Sequence, residues 1–123
     1  MDLKSLSDCA IGKILNRIIC HEPDADLNVM KLELSKGIIG TPHYNKFRDE
    51  VLIVLEGDIE LYCFGPAESS ISYRLTSGTP HSWNLIKAET SHQLNVLSPK
   101  AVVLEVIGGK FFEGACVQGT PDS

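Results

Sequence analysis

Short stretches of apolar or alternating residues, separated by turn residues, constrain the fold of this chain most. The clearest runs from Glu50 to Glu56, ends at the turn dipeptide Gly57-Asp58, and is followed by residues 59–64 as its expected hairpin partner. Later stretches cover residues 71–75, 93–97 and 101–107, the last two separated by an expected turn at 98–100. About seven or eight such strands divided by Gly, Pro and Asp predict an all-β sandwich or barrel.

The ends of the chain have different patterns. Apolar side chains at Ile11, Ile14, Leu15 and Ile18 follow the i, i+3, i+4, i+7 spacing of one helix face. This spacing predicts a helix over residues 3–19 that covers the core or docks on a second subunit. Beyond residue 107 the sequence predicts an irregular tail, so we expect one domain over residues 1–123, with its barrel at about 27–107.

Charge and composition exclude several classes of protein. The chain has 11 basic and 16 acidic residues and a net charge of −5, which argues against a nucleic-acid-binding surface. Because it has neither a secretory signal pattern nor an apolar run of roughly 18 residues, we expect a cytoplasmic protein without a membrane span. The four cysteines form no CxxC pair, which favours ordinary thiols over a redox or zinc-thiolate site.

Four polar side chains form a candidate metal site. His43 and Asn45 are two residues apart, so in an extended strand they share a face, and Glu50 begins the following strand. The corner Gly78-Thr-Pro would present His81 at the start of another strand. Two imidazoles, a carboxylate and an amide oxygen suit iron, manganese, nickel, copper or zinc. Taken singly, His43 also fits a turn, Glu50 a strand-edge charge, and His81 a histidine bonded to a backbone carbonyl.

These spacings resemble a known family. The pattern Gly37-x5-His43-x-Asn45-x4-Glu50-x6-Gly57 resembles the first cupin motif, and Gly78-x2-His81 followed by Asn84 resembles the core of the second. The flanking sequence is similar to the small WbuC-type cupin-fold metalloproteins. The resemblance implies a cupin-type double-stranded β-helix, a jelly-roll barrel, with His43, Glu50 and His81 as metal ligands. Asn45 stands where most cupins have a second histidine, which implies weak ligation, a held water or a lost metal site.

The resemblance also implies a function. It implies a small metal-binding cupin that binds or acts on a small molecule in the barrel, a saccharide or nucleotide-sugar intermediate being one option. As an enzyme it would be an isomerase, lyase or dioxygenase, with no catalytic residue identified and His92 too far from either motif to be placed. The alternatives are a non-catalytic binding or sensor domain with a degenerate metal site, and an assembly protein that forms a homodimer. Five aromatic residues would line the barrel mouth or fill the core: Tyr44, Phe47, Tyr62, Tyr73 and Trp83.

Overall fold

The computed structural model describes residues 11–20, 27–64, 70–108 and 116–119, and these form eight β-strands and no helix. The strands are β1 Ile14–Cys20, β2 Leu27–Asn45, β3 Glu50–Glu56, β4 Asp58–Phe64, β5 Ser70–Thr76, β6 Trp83–Ile86, β7 Ser91–Gly108 and β8 Cys116–Gln118. The all-β expectation is confirmed. In the described ranges there is consequently no helix of the length and apolarity that crossing a membrane requires.

Two long strands, β2 and β7, organise the sheet. They pair antiparallel from Leu27 opposite Gly108 to His43 opposite His92, with register shifts after Ser35 and Ile39. The second half of β7 also pairs with β3, and its first half pairs with β4. The turn expected at residues 98–100 is therefore wrong: β7 is one continuous strand, and this segment is where its second neighbour changes from β4 to β3.

The change of neighbour divides the sheet into two halves. The first half has the order β1-β2-β7-β3-β6, and the second half contains β4, β5, β8 and the other parts of β2 and β7. One apolar core cluster contains side chains from both halves, among them Leu32, Leu52 and Val54 from the first half and Leu61 and Val96 from the second. The two halves therefore face each other across a shared core.

Gly57 turns the chain from one half to the other. Its φ is +95°, and a Cβ atom there would lie 2.6 Å from the backbone oxygen of Lys100. The expected β3–β4 hairpin does not form, because β3 pairs with β6 and β7 whereas β4 pairs with β5 and β7. A glycine followed by an aspartate marks a tight hairpin and a corner between sheets equally well.

Both chain ends differ from expectation. Residues 14–20 form β1, antiparallel to β2, so the predicted helix is wrong over this part, while residues 3–10 lie outside the described residues. Ile14, Ile18 and Ile19 are β-branched, which favours a strand, and a register shift between Ile14 and Asn16 breaks the alternation. In the expected irregular tail, Cys116–Gln118 form β8 on the end of β2.

Candidate metal centre

A cavity of about 760 Å³ opens onto the inner faces of β1, β2, β3 and β7. Its volume lies within the range of small-molecule binding sites. Most of its lining is apolar and comes from core residues such as Leu32, Leu52 and Leu94. Charged and titratable side chains also line it: Arg17, His43, Arg48, Glu50, His92 and Glu105. The cavity therefore combines apolar walls with groups that can bind a metal or move a proton.

Three of these side chains come from three strands. His43 near the end of β2 pairs directly with His92 near the start of β7, and their ring centroids are 4.5 Å apart with the rings tilted by 59°. Glu50, the first residue of β3, is only 5% exposed. Its Oε1 lies 2.7 Å from Nε2 of His92. Strand pairing thus brings two imidazoles and a carboxylate together from distant parts of the sequence.

Backbone carbonyls orient both imidazoles. Nδ1 of His92 lies 3.0 Å from the oxygen of Thr90, and Nδ1 of His43 lies 3.1 Å from the oxygen of Thr41. A carbonyl oxygen can only accept, so each Nδ1 donates, and in the neutral ring Nε2 keeps its lone pair. Nε2 of His92 is buried and, among the described residues, no group forms a well-directed hydrogen bond with it, despite its closeness to Glu50. A histidine held this way by a carbonyl is typical of metal ligation.

Burial and neighbouring charges shift the pKa values of the cavity groups. Burial is the main reason that the pKa of His43 is lowered, and the proximity of His92 lowers it further. Burial acts most strongly to lower the pKa of His92, but the contact with Glu50, the carbonyl of Thr90 and the charge of Glu105 together outweigh it, so this pKa is raised. Burial, followed by the charge of Glu50, raises the pKa of Glu105 to about 7. Near neutral pH, Glu105 can therefore hold or release a proton beside the two histidines.

The structure does not place His81 in this cavity. Its backbone oxygen accepts a hydrogen bond from Thr76, and the next residue, Ser82, bonds to the backbone N–H of Val54. Glu50 is four residues away from Val54 along β3, a separation of about 13 Å at the usual strand rise. His81 is also exposed. His81 therefore lies away from Glu50 in this structure, and the histidine beside Glu50 is His92.

Asn45 lines the cavity but uses its oxygen elsewhere. Its Oδ1 accepts hydrogen bonds from the backbone N–H groups of Phe47 and Arg48, at 3.2 and 3.1 Å. These bonds stabilise the turn between β2 and β3, as asparagine often does. Because Oδ1 is the ligating atom of an amide, the predicted metal-ligand role of Asn45 conflicts with its position here.

The sequence around His92 contains an alternating pattern that the motif spacing does not take into account. In Ser91–Val96 the side chains of His92, Leu94 and Val96 alternate, and the last two belong to the apolar core. A period of two therefore directs His92 to the inner face as well. None of the five aromatic residues named from the sequence lines the large cavity: Tyr62 is in the core, Tyr44 is half-buried, and Phe47, Tyr73 and Trp83 are exposed.

The chemistry of the donor set fits a divalent transition metal. Two imidazoles and a carboxylate are ligands that such metals prefer, and the buried Nε2 of His92 has a free lone pair in the neutral ring. The side chains are not already arranged as a coordination sphere, since the described residues contain no group of three or more His, Cys, Asp or Glu placed to hold a metal. Glu50 instead contacts His92 directly.

Comparison of the sequence with protein-family models and with curated proteins finds no match. The structure is similar to oxalate decarboxylases. For the Bacillus subtilis enzyme, studied for its Mn(II) centres, the TM-score is 0.71 at 10% identity, over 86% of this chain and 29% of that chain. For the Lactobacillus farciminis enzyme, in a formate complex, the TM-score is 0.69 at 12% identity, over 83% of this chain and 30% of that one.

This chain therefore spans under a third of the length of those enzymes. At such low identity the similarity establishes the fold and not the activity. The WbuC-type subgroup is not identified by these comparisons. Since oxalate decarboxylases are cupins, the similarity shows that this chain has a cupin-like all-β fold.

Proposed function

We propose that this protein is a metal-binding cupin in which His43, Glu50 and His92 hold one divalent transition metal. The observation that carries the proposal is the buried Nε2 of His92, which lacks a well-directed hydrogen bond among the described residues and lies 2.7 Å from a carboxylate oxygen. The fold shared with the B. subtilis oxalate decarboxylase, which has Mn(II) centres, supports it. Manganese, iron, nickel, copper and zinc all suit this donor set.

We also propose that a small molecule binds beside the metal in the 760 Å³ cavity. A bound metal would act there as a Lewis acid towards an oxygen of the ligand. Glu105 lines the same cavity, and its raised pKa allows it to donate or accept a proton near neutral pH. This combination suits a lyase or isomerase reaction and provides a candidate proton-transfer group that motif spacing did not identify.

The charge of the lining favours an anionic ligand. Arg17 on β1 and Arg48 before β3 both line the cavity, and Arg17 interacts electrostatically with Glu105. A divalent cation and two guanidinium groups would exceed the negative charge of Glu50 and Glu105 together. A small carboxylate is therefore the ligand class that the cavity best supports. The saccharide or nucleotide-sugar ligand implied by the resemblance gains no support from the comparisons.

A metal-free binding domain is the second candidate. It is favoured by the direct contact between Glu50 and His92, which fits a buried ion pair because the carboxylate raises the pKa of that histidine. The use of the Asn45 oxygen in a turn is consistent with it, because one ligand position of the cupin motif is then lost. In this candidate the pair would be structural, and the cavity would bind its ligand without a metal.

Metal analysis of untagged protein separates the two candidates. We expect roughly one equivalent of metal per chain in the wild type, less than about a tenth in His92→Ala, and wild-type content in His81→Ala. His81→Ala is the matched control, because it removes an exposed imidazole outside the cavity. Manganese, iron, nickel and zinc should each be tested for a rise in the melting temperature of metal-free protein. Wild type that purifies without metal and shows no such rise would favour the metal-free domain.

A further inference from the structure

The thiol of Cys116 lines the large cavity, and the proposed metal site leaves it unused. It lies on β8, which pairs antiparallel with the end of β2. In this pairing Gln118 is opposite His43, and Cys116 is opposite Asn45. Residues directly opposite each other in an antiparallel pair project to the same face of the sheet, with Cβ atoms about 5 Å apart. Cys116 therefore projects to the face that carries the proposed ligand His43.

Two hydrogen bonds hold the end of β8 against the strands that carry the histidines. The N–H of Gly119, the residue after β8, donates to the backbone oxygen of Pro42 at 2.7 Å. The hydroxyl of Ser91 donates to the backbone oxygen of Gly119, also at 2.7 Å. Pro42 and Ser91 immediately precede His43 and His92. The position of β8, and with it that of its thiol, is therefore fixed relative to both imidazoles.

The thiol is also close enough to two buried carboxylates to interact with them electrostatically. The charges of Glu50, on β3, and of Glu105, on β7, both act on Cys116. Burial and then these charges raise the pKa of Cys116, so the metal-free protein keeps a neutral thiol, which is a poor nucleophile. A bound cation reverses this effect, because a thiol that coordinates a metal is deprotonated. The surroundings of Cys116 therefore suit a metal ligand better than a nucleophile.

The same cavity contains a ligand atom without a partner and a ligand position that is not filled. Nε2 of His92 is buried, and no group among the described residues forms a well-directed hydrogen bond with it. Asn45 stands where most cupins have a second histidine, but its Oδ1 accepts hydrogen bonds in the turn before β3. Strand pairing places Cys116 directly opposite Asn45. A donor atom from β8 can therefore replace the one that Asn45 does not supply.

We propose that Cys116 is the fourth ligand of the metal, in the position that Asn45 leaves unfilled. This inference rests on the proposed function, because it adds a thiolate to His43, Glu50 and His92. The thiol proton passes to solvent as the metal–sulfur bond forms. Thiolate is a soft ligand that favours zinc over manganese. We therefore expect this chain to prefer zinc, although the similar B. subtilis oxalate decarboxylase has Mn(II) centres.

The absorption spectrum of cobalt(II)-loaded protein tests for the thiolate. The test uses metal-loaded protein because the described side chains are not already arranged as a coordination sphere. A thiolate bound to cobalt(II) gives an intense charge-transfer band in the near ultraviolet, which imidazole and carboxylate ligands do not give. We expect this band in the wild type, its loss in Cys116→Ser and its retention in Cys63→Ser. Cys63→Ser is the matched control, since it removes a half-buried thiol that lines a different cavity.

Competition with a chelator measures the affinities for zinc and manganese. Cys116→Ser should weaken zinc binding by roughly 100-fold or more, whereas the loss of an outer-shell partner costs about 10- to 100-fold. It should change manganese binding far less. Because Cys116 is exposed, we expect the variant to fold, and circular dichroism would check this.

Two results would overturn the thiolate ligand and leave the proposed metal site standing. One is wild type that binds cobalt(II) without the charge-transfer band, and the other is a band that persists in Cys116→Ser. Loss of the band in Cys63→Ser alone would assign the thiolate to the wrong strand and would also overturn the proposal. Wild type that binds none of cobalt(II), zinc and manganese would overturn the proposed function together with this inference.

Discussion

Nε2 of His92 lies 2.7 Å from Oε1 of Glu50, and these two side chains, from the starts of β7 and β3, are almost fully buried. Burial lowers the pKa of this imidazole, and the Glu50 carboxylate is the largest of the groups that raise it. In the metal-free protein the two groups form an ion pair below the raised pKa of His92. With a metal bound, the same two groups would be ligands.

Glu50→Gln should lower the pKa of His92 in metal-free protein, because burial then acts without the opposing carboxylate. A histidine with a raised pKa adds stability below its unfolded value of about 6.5, and this stability is lost as pH rises through the folded pKa. The variant should therefore lose roughly 2–4 kcal/mol of stability near pH 5 and less near pH 9. NMR titration of the imidazole signals and urea unfolding measure the two effects. An unchanged pKa for His92 in Glu50→Gln would show that the carboxylate is not what keeps this imidazole protonated.

Glu105→Gln should stabilise the metal-free protein at pH 8 and have little effect at pH 5. The folded pKa of Glu105 is about 7, above its ordinary value of 4.5. Between these values the folded state binds more protons than the unfolded state, so this group makes stability fall as pH rises. Removing the charge should raise the free energy of unfolding at pH 8 by up to about 3 kcal/mol. Urea unfolding at both pH values would measure this change in the free energy of unfolding, and Glu56→Gln, at an exposed position, is the control. Equal effects of Glu105→Gln at the two pH values would contradict the raised pKa of Glu105.

Local pattern predicted much of this fold. β3 was expected at Glu50–Glu56 and is found there, because its apolar run and the following Gly57 are signals within one segment. The predicted helix failed at β1, where a register shift between Ile14 and Asn16 disrupts the strand periodicity. A single sequence contains no direct sign of such a shift, because the neighbouring strand that causes it is far away in the chain.

The residues of the candidate site were likewise predicted only in part. His43 and Glu50 flank one turn, so their spacing restricts them to neighbouring parts of one cavity. The second histidine depends instead on how β2 pairs with β7, in which His43 lies opposite His92. Motif spacing favoured His81, but the corner that contains it is at the other end of β3. Long-range strand register therefore determines which histidine lies near His43 and Glu50, and a single sequence does not show that register.

Asn45→Ala should destabilise the protein without changing its metal content. The side-chain oxygen accepts two backbone hydrogen bonds in the turn before β3, and alanine leaves both donors without it. We expect a loss of about 1–2 kcal/mol, similar to the loss of a helix cap. Asn45→Asp is the matched control, because its carboxylate keeps the acceptor. The free energy of unfolding and the metal content should be measured for both variants. Loss of metal in Asn45→Ala but not in Asn45→Asp would show that the oxygen of Asn45 is a metal ligand after all.

Gly57→Ala should destabilise the fold far more than Gly78→Ala, although both glycines have a positive φ. At Gly57 φ is +95° and a Cβ would lie 2.6 Å from the oxygen of Lys100, in the segment where β7 changes neighbours. At Gly78 φ is +73° and a Cβ would meet nothing within 4 Å. The alanine would therefore lower the free energy of unfolding only through its unfavourable backbone conformation, by about 1 kcal/mol.

We expect a loss of roughly 3 kcal/mol or more for Gly57→Ala, because a backbone oxygen cannot move aside as a flexible side chain can. Urea unfolding of both variants would measure the difference. Since this corner sends the chain from β3 into the other half of the sheet, the variant should also disturb the cavity that β3 lines with Glu50. Equal losses at the two glycines would mean that the close approach of Gly57 to β7 does not hold the halves of the sheet together.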